Sequence, residues 1–142
     1  MVSLAFAVSS ALFLSPAQTN SLAQAKPESP SSGSVERGKY IVEHVAMCVE
    51  CHTPRDDAGN LLESQYLEGA PIPVKPPPYP NMNWALKAPA IAGLIGYTKE
   101  EGVRLLMEGF TRDGKIPNPP MPHFRLNRGD AEAVVDYLKS LR

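Results

Sequence analysis

The sequence predicts an all-α fold of about three to four helices joined by long proline-rich loops. Three features carry this expectation. Apolar residues recur at helical spacing in three stretches: Val35 to about Cys48, Thr98 to Gly109, and Asn127 to the C-terminus. Eight of the fifteen prolines fall between residues 53 and 92, including Pro76-Pro77-Pro78, where extended loop with short turns is expected rather than a sheet. The 142 residues suit a single domain, and the 43% apolar fraction is too high for a wholly disordered chain. With 14 Lys+Arg against 15 Asp+Glu and no long run of one sign, the electrostatic footprint of a nucleic-acid binder is missing.

The first 25 residues carry no charged side chain. Leu4 to Leu14 is an apolar run too short to span a bilayer, and Ala23 and Ala25 form a small-x-small cleavage pattern. Residues 1–25 therefore read as a signal peptide, although Met1-Val2-Ser3 lacks the usual positive charge. Cleavage after Ala25 gives a periplasmic or otherwise exported protein with no membrane span. Residues 26–34 are Pro/Ser/Gly-rich and read as a flexible lead-in to a domain spanning 35–142.

Ser34 is the expected N-cap of the first helix, with Glu36 in its first turn and Ile41, Val45 and Cys48 along one face. Gly38 costs such a helix about 1 kcal/mol of propensity, which points to a close helix–helix contact there. Thr98 and Glu101 form a capping box opening the second helix. That helix turns Val103, Leu106, Met107 and Phe110 inward and stops near Gly109. The last helix begins around Asn127 to Asp130, with Ala131, Val134, Val135, Leu138 and Leu141 at helical period. Its charges follow the dipole, with Asp130, Glu132 and Asp136 early and Lys139 and Arg142 late.

The chemistry concentrates at Cys48-Val49-Glu50-Cys51-His52, a C-x-x-C-H sequence of the c-type haem attachment pattern. Two thiols on one turn can each add across a haem vinyl group, and the adjacent imidazole then faces the iron as proximal ligand. One covalently bound haem would also fill the core of a fold whose middle is loop. Three other uses of the cysteines compete. A disulfide across two residues closes too small a loop to stabilise much. A thioredoxin-type pair wants a βαβ context that is missing here. A zinc site could draw on Cys48, Cys51 and two of His44, His52 and His123, but the second ligand pair lacks zinc-like spacing.

A six-coordinate haem needs a second axial group, and the candidates are Met47, Met82, Met107, Met121, His44 and His123. Met47 adjoins the motif on the proximal side, and Met107 suits the core face of its helix. Met82 lies in the long loop and stays open as an alternative. Met121 stands in Pro117-Asn118-Pro119-Pro120-Met121-Pro122-His123, where flanking prolines stiffen the backbone and can hold a weak thioether ligand at little ordering cost. His123 is the rival ligand and would lower the potential.

The order of helix, C-x-x-C-H, loop-rich middle, P-M-P segment and amphipathic final helix resembles a class I monohaem cytochrome c over about residues 35–141. Cys48 to Arg55 (CVECHTPR), the Pro-rich insert, Gly96-Tyr97-Thr98 with Glu101, and Met121-Pro122-His123 followed by Asp130 to Leu141 are similar to cytochrome domains that accompany membrane-bound dehydrogenases. The resemblance implies the cytochrome c fold, covalent haem c on Cys48 and Cys51, His52 as proximal ligand and Met121 as distal ligand. It also implies that a proline carbonyl accepts the proximal histidine's other N–H; Pro89-Ala90-Ile91-Ala92-Gly93 matches that segment, which makes Pro89 the candidate. Close crossing of first and last helices suits Gly38 and Tyr137. Trp84, Tyr97 and Arg112 are candidates to meet haem propionates, with ordinary structural roles as the alternative.

The expected function is single-electron transfer between redox protein partners, a dehydrogenase or an oxidase, with no substrate bound and no bond made. Arg112, Lys115, Arg125 and Arg128 against Asp113 suggest a mildly basic rim near the Met121 loop. Two other readings remain: a haem enzyme or ligand-binding haem protein with an open distal site, in which His123 is the acid–base group, and an obligate cytochrome subunit of a dehydrogenase complex.

Overall fold

The first and last helices meet where a side chain is missing. In the computed structural model, which describes residues 32–79 and 81–142, α1 spans Ser32–Tyr40 and α4 spans Arg128–Ser140. A Cβ added to Gly38 would overlap the Ala133 carbonyl and lie 2.7 Å from Tyr137 Cβ, so only glycine allows this approach. The contact expected at Gly38 is present, and Tyr137 is the aromatic it meets. Arg37 ties the same helices together, donating from Nε to Asp130 at 2.9 Å and from Nη2 at 3.3 Å. The signal peptide expected over 1–25 and most of the lead-in lie outside the described residues.

The first helix departs from expectation in three ways. Ser32 to Ser34 are already helical, so Ser34 lies inside α1 rather than capping it. No proline interrupts Ser32-Gly33-Ser34, so nothing in the backbone stops helix there. From Ile41 to Val45 the helix widens into a π turn, with Ala46 N–H donating to Ile41 O at 2.7 Å and Cys48 N–H to Val42 O at 2.9 Å. The wider turn shifts the phase. Ile41 and Val42 are buried, but Val45 leaves the core face and is 57% exposed. Met47 then takes a left-handed conformation (φ 51°), and the cysteine motif stands on its own short helix α2, Val49–His52, rather than at the end of the first.

Residues 53–92 are mostly loop, as their prolines require. They are more tied down than expected, because β1 (Ala70–Pro71) and β2 (Lys87–Ala88) pair antiparallel, Ala70 opposite Ala88 and Pro71 opposite Lys87. Single 3-10 turns occupy Glu63–Gln65 and Ala92–Leu94. Leu67 is fully buried at the turn before β1, where its N–H donates to Thr53 Oγ1 at 3.0 Å.

Helix α3, Lys99–Glu108, opens with the expected capping box, and Gly109 ends it. Val103 and Leu106 are buried and Met107 packs against the core. Phe110 does not turn inward; it follows the left-handed cap at Gly109, which carries the chain off the helix face, and is 41% exposed. Helix α4 starts at its N-cap Asn127, whose side chain accepts from Asp130 N–H. It is buried continuously from Ala133 to Leu138, because α1 and α3 both pack on it. Asp136 therefore does not serve the helix dipole at the surface. It is buried, and Lys99 Nζ lies 2.6 Å from its Oδ1.

Candidate haem site

Cys48, Cys51 and His52 share a single helical turn. Cys48 caps α2, and its carbonyl accepts from His52 N–H at 2.9 Å, so all three side chains are fixed by one backbone unit. Both cysteines are half-buried and free. Burial pushes the Cys48 thiol up to about 11, with its backbone hydrogen bond opposing and the neighbouring Cys51 adding to the shift. A thiol held in its protonated form is the form that adds S–H across a double bond.

His52 is buried and gripped at both ends. Its Nδ1–H donates to the Pro89 carbonyl at 2.8 Å, and its own carbonyl accepts from Gly69 N–H at 2.7 Å. Burial lowers the His52 pKa, partly opposed by the Pro89 bond, which favours the neutral imidazole. Nε2 has no hydrogen-bond partner among the described residues and keeps its lone pair for a metal.

The other sequence candidates separate clearly. Met47 is 51% exposed on the strained turn beside Cys48, and Met82 is 42% exposed in the proline-rich loop. Met107 is half-buried on α3 and packs against the core. His44 is exposed and lies 5.5 Å from the Tyr40 ring. His123 is exposed beside Gly109. Met121 is half-buried in a turn closed by its own N–H to Asn118 O at 3.3 Å. Its loop is anchored to the hairpin, since Ala85 N–H donates to Pro119 O at 2.7 Å.

The residues fit a covalently attached haem. Two free thiols one turn apart and a neutral imidazole with one open nitrogen form the donor set that c-type attachment needs. A further sign is Trp84, whose Nε1–H is buried and has no acceptor among the described residues. Leaving such a donor unmet costs about 1–3 kcal/mol, and a haem carboxylate is an acceptor that would meet it. Arg112 and Tyr97 engage each other instead, the guanidinium lying 5.7 Å from the ring centroid and donating to Gly96 O at 2.7 Å. The zinc alternative is not assembled, since no three His, Cys, Asp or Glu side chains converge among the described residues. Sequence reasoning missed Gly69 and Ala85. Both act through backbone N–H groups, which leave no side-chain signature.

The cytochrome c family model matches residues 35–142. The chain belongs to the cytochrome c family. A diheme cytochrome c-type protein of Cereibacter sphaeroides is 35% identical over 109 residues, covering 73% of this chain and 34% of its own. The fructose dehydrogenase cytochrome subunit of Gluconobacter japonicus is 30% identical over 115 residues, covering 74% of this chain and 21% of its own. The cytochrome thus spans about a third and a fifth of these relatives. Four α-helices and a small two-stranded sheet among the described residues form the all-α fold of a cytochrome c domain, a family of electron carriers with covalently bound haem. Among the described residues no helix is long and apolar enough to cross a membrane.

Proposed function

We propose that this cytochrome is an exported single-haem electron carrier, with thioether links at Cys48 and Cys51 and with His52 and Met121 as axial ligands. The observation that carries the reading is the double grip on His52. Engaging Nδ1 with the Pro89 carbonyl selects the tautomer that directs Nε2 outward and fixes the ring plane. When bound, the haem supplies a one-electron couple. The protein's part is to hold both axial side chains so that little moves when the charge changes, and to exclude water. His52 is 6% exposed, and the Met121 loop is anchored to the hairpin through Ala85. A thioether distal ligand in a buried site favours a relatively high potential.

The likeness to a dehydrogenase cytochrome subunit supports work alongside a dehydrogenase, as a subunit or a docked partner. Of the four basic residues near the Met121 loop, Arg112 and Arg128 have carboxylate neighbours, Asp113 and Glu132. Lys115 and Arg125 have none among the described residues, leaving positive charge to steer an acidic partner.

The test is an absorption spectrum, oxidised and reduced, of wild type and Met121→Ala matured with a cytochrome c assembly system. Sharp low-spin bands and a weak far-red sulfur-to-iron band that vanishes in the variant are expected. A high-spin wild type that takes up carbon monoxide would instead mean an open distal site and a haem enzyme or ligand-binding protein. A dehydrogenase reducing the protein at a rate independent of salt would remove the basic rim from the argument.

A further inference from the structure

We propose that Gly69 is a positioning residue for the proximal ligand: lacking a Cβ, it lets the backbone of residues 88–90 lie directly against it, which delivers the Pro89 carbonyl to the His52 imidazole. The inference rests on His52 being the haem ligand. Gly69 sits at φ +86°, and a Cβ there would lie 2.7 Å from Ala90 N, 2.8 Å from Ala88 O and 2.8 Å from Pro89 C. All three are backbone atoms, so no side-chain rotation relieves the overlap. The approaching segment or Gly69 itself must move.

Neither is free to slide. Gly69 N–H is bonded to His52 O at 2.7 Å, and Ala70 pairs with Ala88 in the next step of the ladder. Leu67, two residues earlier, is fixed by Thr53 Oγ1 on one side, and its carbonyl accepts from Ile91 and Ala92 N–H at 2.9 and 3.2 Å on the other. Because Gly69 is tied to His52, a methyl group at 69 forces the Pro89 segment away from both, lengthening the 2.8 Å bond to His52. That bond raises the electron-donating power of the imidazole. Weakening it makes the ferric state less favoured, so the potential rises.

A suitable control exists in the same loop. Gly59 has φ +88° and nothing within 4 Å of its added Cβ, so Gly59→Ala bears the left-handed backbone cost without any contact. The experiment measures, on holoprotein, the reduction potential and the exchange rate of the His52 ring N–H for wild type, Gly69→Ala and Gly59→Ala. Gly69→Ala is expected to raise the potential and to speed exchange by up to about tenfold, the loss expected for one neutral hydrogen bond. Gly59→Ala should do neither. Unchanged potential and exchange in Gly69→Ala, with a histidine-ligated wild type, overturns this inference alone. A wild type without histidine ligation overturns the functional reading and this inference with it. Should Gly69→Ala give no folded holoprotein, Thr53→Val carries the test. It removes the acceptor of Leu67 N–H and loosens the same turn, so a smaller rise in potential is expected and an unchanged potential overturns the proposal.

Discussion

Replacing Gly38 by alanine reverses the usual sign of a helix substitution. In an exposed helix the change gains about 1 kcal/mol, because alanine restricts the unfolded chain and has the better propensity. Here the new methyl carbon would overlap the Ala133 carbonyl and stand 2.7 Å from Tyr137 Cβ. Ordinary carbon–carbon contact is about 3.5–4.0 Å, and the Ala133 overlap is tighter than the Tyr137 one, so α1 and α4 must separate by more than about 1 Å. Two linkages resist. Tyr137 OH donates to Tyr66 OH at 3.0 Å, and Tyr66 OH in turn donates to Glu43 at 2.9 Å, while Arg37 holds Asp130. Opening by that amount takes a 3.0 Å bond beyond useful range, a loss of about 1 kcal/mol. Overpacking adds about 1–3 kcal/mol. After the propensity gain is subtracted, Gly38→Ala should destabilise the holoprotein by about 1–3 kcal/mol. Denaturant unfolding followed by circular dichroism at unchanged m-value reads this directly. A variant more stable by about 1 kcal/mol would show that the helices do not meet at Gly38, and the packing argument would fall.

Three other perturbations test separate parts of the molecule. Lys99→Met leaves the buried Asp136 carboxylate without its cation; a loss of about 2 kcal/mol is expected in urea unfolding, below the full cost of a broken buried pair because Lys99 is partly exposed, and Lys99→Met with Asp136→Asn should recover part of it. The Arg37 guanidinium holds the Asp130 carboxyl below the ordinary carboxylate value. Its stabilisation is complete above the unfolded value near pH 4 (about 3.9 for Asp) and is lost as pH falls through the lower folded value, so Asp130→Asn should flatten the acid limb of the stability profile; an unchanged limb would remove this pair from the account. Ala85→Pro deletes the N–H that anchors Pro119, and the far-red band should lose intensity while stability drops by about 1 kcal/mol; an intact band would mean the Met121 loop is held elsewhere.

What was legible in the sequence was local. The capping box at Thr98 and Glu101 has a fixed residue pattern and α3 starts where that pattern places it, while α4 starts within the Asn127 to Asp130 stretch expected for it. C-x-x-C-H likewise declares itself through spacing within one turn. The π turn at Ile41–Val45 left no such mark, because the residues alternate no differently from those of an ordinary helix. The cost was the misplaced Val45 and the assumption that α1 runs straight into Cys48. Burial of Asp136 was hidden for another reason, since its partner Lys99 lies on a different helix and the pairing appears only after α3 packs on α4. Resemblance, not periodicity, picked out Pro89, and the hydrogen bond it predicted is a carbonyl contact that any residue type could make.

Rigidity at the proposed iron site has to come from a region with little regular structure. Among the described residues between His52 and the start of α3, regular structure amounts to two two-residue strands, two single 3-10 turns and one isolated bridge, Arg55 to Leu61. Four backbone links nevertheless run in series from His52 to the Met121 loop: Gly69 to His52, the Ala70–Ala88 pair, Ile72 to Leu86, and Ala85 to Pro119. Each contributes only about 1 kcal/mol net, too little on its own to order a free loop of this length against roughly 1–2 kcal/mol of backbone entropy per residue. Prolines change that comparison. Pro71, Pro73, Pro76-Pro77-Pro78 and Pro89 on the hairpin, and Pro117, Pro119, Pro120 and Pro122 on the Met121 loop, have φ fixed before folding begins. Their share of the entropy is already absent from the unfolded chain. The same composition that forbids helices and long strands here is what lets so few hydrogen bonds hold His52 and the Met121 loop in one frame.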